Sequence, residues 1–136
     1  MLAVVDAGLL YAAADADDDD HAPCLAVLGR RDLDLVVPAL VVAEVTYLIG
    51  RRLGPDAEAR FLRGLRVLEV EGPTPSDLDR MAQLVARHGD LPLGGTDASV
   101  VALAERLGTR TILTLDRRHF GVVRAADGDL FSLLPD

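Results

Sequence analysis

Four acidic residues stand where a carboxylate has no ordinary structural reason to be. Asp6 ends the apolar run Leu2-Ala3-Val4-Val5 and is followed by Ala7-Gly8. Runs of this kind read as strands buried on both faces, and in open α/β sheets ligands bind beyond the carboxyl ends of such strands. Asp116 closes a second buried run, Thr111-Ile112-Leu113-Thr114, in the same way. Glu44 lies in a helical segment with Leu40, Val41, Tyr47 and Leu48 as its same-face neighbours, and no basic residue lies within one turn. A lone carboxylate buried on such a face costs several kcal/mol unless a cation or a proton is supplied. Asp97 begins a helix after Gly94-Gly95 on the stripe of Val100, Val101 and Ala104. The helix dipole accounts for an acid in a first turn, but not for one aimed at the core side. Four acids converging at one sheet edge most economically mean a divalent metal site, and oxygen-only ligands suit Mg²⁺, with Mn²⁺ as the second choice.

The elements that must position these acids follow from pattern. The 136 residues suit one domain, 1–136. The first helix is expected over Ala7 to Ala14 and a second over His21 to Arg31, flanking an aspartate run at Asp15 and Asp17 to Asp20 that reads as a solvated loop. A second strand, Leu35 to Val37, stops at Pro38, and Ala39 to Arg52 forms the helix that carries Glu44. Pro55 to Leu65 is a further helix and Val67 to Val70 a third strand. Thr74-Pro75 opens a helix with an inward stripe of Leu78, Met81, Ala82 and Val85, ending at His88-Gly89. Thr96 is the expected N-cap of the helix from Asp97 to Gly108, and a last strand spans Leu130 to Leu134. Alternating strands and helices of this kind imply an α/β fold with a parallel sheet.

Composition narrows the function. The formal net charge is −8, with five of the 22 acids in the one short run from Asp15 to Asp20. All 14 cationic side chains are arginine, which excludes any mechanism that needs a lysine. The single cysteine, Cys24, cannot form an internal disulfide, and its natural place is a half-buried helix position. No apolar run approaches the roughly 18 residues of a membrane span, and no charged region precedes the first strand, so an intracellular, cytoplasmic chain is expected.

The chain resembles the PIN-domain ribonucleases, specifically the VapC-type toxins of bacterial toxin–antitoxin pairs. The segments that carry the resemblance are Val4-Val5-Asp6, Pro38 to Val45, Thr96 to Ala104 and Leu113 to Phe120; their acids lie 38, 53 and 19 residues apart. The resemblance implies a PIN-like three-layer α/β/α fold and Mg²⁺-dependent endonucleolytic cleavage of RNA. It also implies a homodimer and a cognate antitoxin that occupies the site. Carried over, Asp6, Glu44, Asp97 and Asp116 form the acidic quartet. Asp6 and Asp97 are assigned as direct metal ligands, with Glu44 and Asp116 acting directly or through water. Thr96 and Ser99 are candidates for supporting the metal shell, and Arg117, Arg118 and His119 for contacting RNA phosphates. One departure stands out: the family often has a hydroxyl or amide residue just after the first acid, where this chain has Ala7 and Gly8.

Rival classes fail on named residues. A receiver domain relies on a lysine, a haloacid-dehalogenase-like phosphatase wants Asp where Gly8 stands, and Asp6-Ala7-Gly8-Leu9 is no dinucleotide-binding turn. The alternative left open is a PIN domain that binds RNA or antitoxin without cutting.

Overall fold

The computed structural model describes residues 1–136. Five strands form one sheet in the order β3-β2-β1-β4-β5, all parallel: β1 Leu2–Val5, β2 Asp34–Pro38, β3 Glu69–Glu71, β4 Thr111–Leu113 and β5 Ser132–Leu134. Ala3, Val4 and Val5 are fully buried, as a central parallel strand covered by helices on both faces requires. The helices are α1 Ala7–Ala14, α2 His21–Leu28, α3 Ala39–Leu53, α4 Pro55–Gly64, α5 Pro75–Arg87, α6 Gly95–Leu107 and α7 Arg117–Phe120. The chain moves outward from β1 to β3, then crosses back to β4 on the other side of β1. That reversal opens a crevice beyond the ends of β1 and β4, the place where doubly wound sheets bind ligands.

The α/β architecture expected from the sequence is present, with differences that have physical causes. The second helix stops at Leu28, because Gly29 caps it. Pro38 pairs with Glu71 as the last residue of β2 and then serves as N-cap of α3; a proline is tolerated there because a strand end needs no further ladder donor. The third strand starts later than expected. Leu65–Val67 winds as a 3₁₀ turn, leaving Val67 88% exposed.

The inward stripe of α5 is Asp77, Met81 and Leu84, whereas Leu78, Ala82 and Val85 face outward. Asp77 turns the helix: it completes a capping box with Thr74 and receives Arg106 Nε at 3.0 and 3.1 Å. A paired carboxylate thus takes an inward place that periodicity awards to leucine. The fifth strand is only Ser132–Leu134, and Leu130 instead makes an isolated antiparallel bridge with Arg124.

The aspartate run is ordered by its own side chains rather than merely solvated. Asp15 and Asp18 accept the N–H groups of Asp17 and Asp20 at 3.0 and 2.9 Å, and Tyr11 Oη donates to Asp15 at 2.7 Å. Such Asx turns carry the chain between α1 and α2. Cys24 is fully buried, and burial pushes its thiol up to about 11.

Candidate metal centre

Asp6 leaves β1 at the sheet's centre and is 5% exposed. Its N–H donates to the carbonyl of Leu113 at 2.9 Å, so the position is fixed by the last rung between β1 and β4. Thr114 Oγ1 donates to Asp6 Oδ2 at 2.7 Å and accepts the N–H of Asp116 at 2.9 Å. One hydroxyl therefore ties two of the four acids together. Burial pushes Asp6 up to about 6, offset in part by the Thr114 hydroxyl and the Ala7 N–H and reinforced by repulsion from Asp97 and Asp116.

Asp97 arrives on α6, which Gly94 caps and whose first residue is Gly95, so Thr96 lies inside the helix and is not its N-cap. Residues 98 to 104 are all buried, as expected of a helix enclosed on every side. Burial raises the Asp97 carboxyl and Asp116 adds to it, while His119 and the Gly94 backbone oppose. Asp116 caps α7, with Oδ1 accepting the His119 N–H at 2.9 Å. Glu44 differs from expectation: the buried face of α3 is Val41, Val45 and Ile49, and Glu44 is exposed beside Tyr47. It is not a stranded core charge but a rim residue. Partial burial and then Asp97 raise its carboxyl, and the Thr96 side chain lowers it.

Asp6, Ala7, Gly8, Glu44, Asp97, Leu115 and Asp116 line one open cleft of about 420 Å³. All four acids singled out in the sequence therefore meet there. Ser99 does not reach them; its buried hydroxyl donates to the Thr96 carbonyl at 2.6 Å. Arg117 donates to the carbonyls of Leu133 and Pro135, and Arg118 is exposed without an acidic partner.

His119 has a place that sequence reasoning missed. Its Nδ1 lies 2.8 Å from Asp116 Oδ2 and 3.4 Å from Asp97 Oδ2, yet the directions leave this buried nitrogen without a hydrogen-bond partner. Single ligand atoms of Asp97, Asp116 and His119 all fall within 4.8 Å of one another. The signal was the i, i+3 spacing of His119 from an acid that caps a helix, which turns the ring back over the cap. Thr114 was also missed, since its role depends on a partner 108 residues away. Clustered carboxylates, those of Asp6, Glu44 and Asp97 with raised proton affinity, and an orphaned buried nitrogen form a donor set that fits a divalent ion.

Comparison with known proteins then places the chain. The family profile described as PIN domain matches residues 3–125. The chain belongs to the PIN-domain family. This PIN domain is 39% identical to "Ribonuclease VapC26" of Mycobacterium tuberculosis over 134 residues, covering 97% of this chain and 99% of that one. Among solved structures, Mycobacterium tuberculosis VapC20, described as a sarcin-ricin loop cleaving toxin, matches with a TM-score of 0.77 and 20% identity over 85% of this chain and 90% of its own. VapBC2 of Rickettsia felis, bound to a promoter DNA fragment, matches at 0.73 with 14% identity over 99% and 100%. Those two likenesses, at such identity, show the PIN fold alone.

Proposed function

We propose that this PIN domain is the toxin of a toxin–antitoxin pair and a Mg²⁺-dependent endoribonuclease, with Asp6, Glu44, Asp97 and Asp116 as its acidic quartet. The observation that carries the reading is the meeting of four carboxylates from four separate segments in one open cleft. A divalent ion held there supplies an acidified water and a counter-charge for the phosphate oxygens. Asp97 and Asp116 offer it ligand oxygens, and Asp6, which lines the same cleft, has one of its two oxygens held by Thr114 and the other to offer. Glu44 on the rim is suited to orient water over the reacting phosphate. His119 Nδ1, which stands against both Asp97 and Asp116 without a hydrogen-bond partner, completes the donor set. Oxygen donors favour Mg²⁺, and the neighbouring imidazole makes Mn²⁺ an acceptable substitute.

The proposed partners are RNA, a cognate antitoxin and a second copy of the chain in a homodimer, in the cytoplasm. No helix is long and apolar enough to cross a membrane. An antitoxin partner fits the resemblance to the VapC-type toxins, with Ribonuclease VapC26 as a 39% identical relative.

The test is incubation of total cellular RNA with the purified, antitoxin-free chain under Mg²⁺, Mn²⁺ or chelator, beside Asp97→Asn. Discrete fragments that vanish with chelator and with the variant are expected. A second reading, a module that binds without cutting, draws on Ala7 and Gly8, which give the cleft wall no polar group. Intact RNA after incubation with a folded, metal-binding chain decides for it.

A further inference from the structure

A second cleft, also about 420 Å³, lies between α5 and the turn that follows α7. Clefts that take small ligands span about 300–1,000 Å³. Its cations are Arg80, Arg87 and Arg124, set with His88 around Leu84 and Ala125. In a chain of net charge −8, such a concentration is not what composition supplies.

The charges do not cancel within the cleft. Arg80 is neutralised, since its Nε and Nη2 donate to the two oxygens of Glu105 at 2.8 and 3.2 Å. Glu105 is then fully used, because Oε2 also accepts the Ala126 N–H. Asp127 beside the wall is taken by Arg110. Arg87 and Arg124 have no carboxylate partner, and Arg124 spends one Nη1 donor on the Gly128 carbonyl at 2.8 Å. Two guanidinium groups with unused donors therefore remain over a partly apolar floor. Planar guanidinium forks match the oxygens of a phosphate, which they hold bidentately.

Both walls continue into the segments that carry the acids. Val122 and Val123 donate their N–H groups to the carbonyl of His119, whose ring touches Asp97 and Asp116. His88 precedes the Gly94-Gly95 turn that delivers Asp97. We propose that this cleft is a phosphate-binding subsite that holds the backbone of the RNA substrate through Arg87 and Arg124. The proposal rests on the nuclease reading above for the identity of its ligand. A peptide occupant is disfavoured, because a partner suited to the acid-rich remainder of the surface is itself basic and is repelled here.

The experiment measures binding of a labelled, mixed-sequence single-stranded RNA by fluorescence anisotropy, in chelator so that nothing is cut, across a salt series. The paired variant Arg87→Ala/Arg124→Ala is compared with Arg60→Ala/Arg63→Ala, which removes the same charge from the outer face of α4. The first pair is expected to weaken binding about tenfold or more and to reduce the log–log salt slope by about 1.4, since each single-strand phosphate contact contributes about 0.7. The α4 pair should change neither by more than about twofold, and Arg87→Lys/Arg124→Lys should keep the slope. Equal losses in both alanine pairs overturn the proposal, as does an unchanged slope in the first. So does a first pair that loses its antitoxin while RNA binding holds, which assigns the cleft to that protein. Absence of cleavage by the unaltered chain with Mg²⁺ counts against the nuclease reading alone, because the anisotropy result stands without it.

Discussion

The Asp6 carboxyl titrates at about 6 in the fold against 3.8 for the unperturbed group, so the native state holds this proton more tightly than the unfolded chain. Its contribution to stability is complete below about pH 3.8 and is lost as pH rises through about 6, a cost of about 3 kcal/mol at neutral pH without metal. Asp6→Asn, which can still accept from Thr114, is expected to melt higher than the parent at pH 7.5 in chelator and to converge with it near pH 4. Thermal melts across that range check this, and a variant that melts lower at pH 7.5 would show the carboxylate to be stabilised rather than strained. Gly8 allows a second test. A Cβ there meets nothing within 4 Å, so Gly8→Ser should fold at least as well as the parent. If a missing hydroxyl limits the centre, metal affinity should rise by about 10- to 100-fold in titration calorimetry. Asp6 could be read from sequence because a carboxylate at the end of a buried central strand is otherwise unexplained, whereas Glu44, expected as a core charge, proves to be an exposed rim residue. Thr114 could not be read, since its hydroxyl acquires a role only from a partner that folding brings up, and His119 is legible only in its i, i+3 spacing from Asp116.

The elements show where periodicity is reliable and where it fails. β1 and β4 were plain because strands buried on both faces need unbroken apolar runs. The α5 stripe was misjudged because a capped and ion-paired Asp77 is as good an inward residue as leucine, and a hydropathy pattern scores it as polar. That assigns weights to two interactions. Thr74→Ala removes one hydroxyl of the capping box and should cost about 1 kcal/mol. Asp77→Ala removes the other half of the box and leaves Arg106 with only Glu71, at 3.0 Å, and should cost about 2–3 kcal/mol. Urea denaturation of both variants checks the order. If Thr74→Ala proves the more costly, the Arg106 contact contributes little. Glu44 was misjudged for the opposite reason: α3 is apolar around most of its circumference, so sequence alone does not say which arc faces water.

For the whole molecule, the alternation of strands and helices specified the parallel α/β sheet, and the reversal of strand order at β1 determines where the acids meet. Charge distribution is less evident from a net value of −8. Four of the five acids between residues 15 and 20 divide into two kinds. Asp15 and Asp18 hold turns, whereas Asp17 and Asp19 are exposed and accept no hydrogen bond. Asp17→Asn/Asp19→Asn should therefore leave stability within about 0.5 kcal/mol and barely alter cleavage, while Asp15→Ala/Asp18→Ala should destabilise the α1–α2 connection. Melting temperature and cleavage rate of the two pairs check it; a large change in cleavage from the first would make this acidic edge part of the RNA or antitoxin surface.

The strand at the centre of the sheet precedes both of its neighbours in the chain. Its neighbour β2 begins at residue 34, but β4 only at residue 111, and Asp116 follows still later. Synthesis proceeds from the N-terminus, so through most of translation β1 waits with one hydrogen-bonding edge unsatisfied. The same delay is a safeguard: a nascent chain that displays Asp6, Glu44 and even Asp97 has not yet received the strand that locks Asp6 in place. The cleft that gathers the four acids is therefore complete only after β4 and Asp116 have been made.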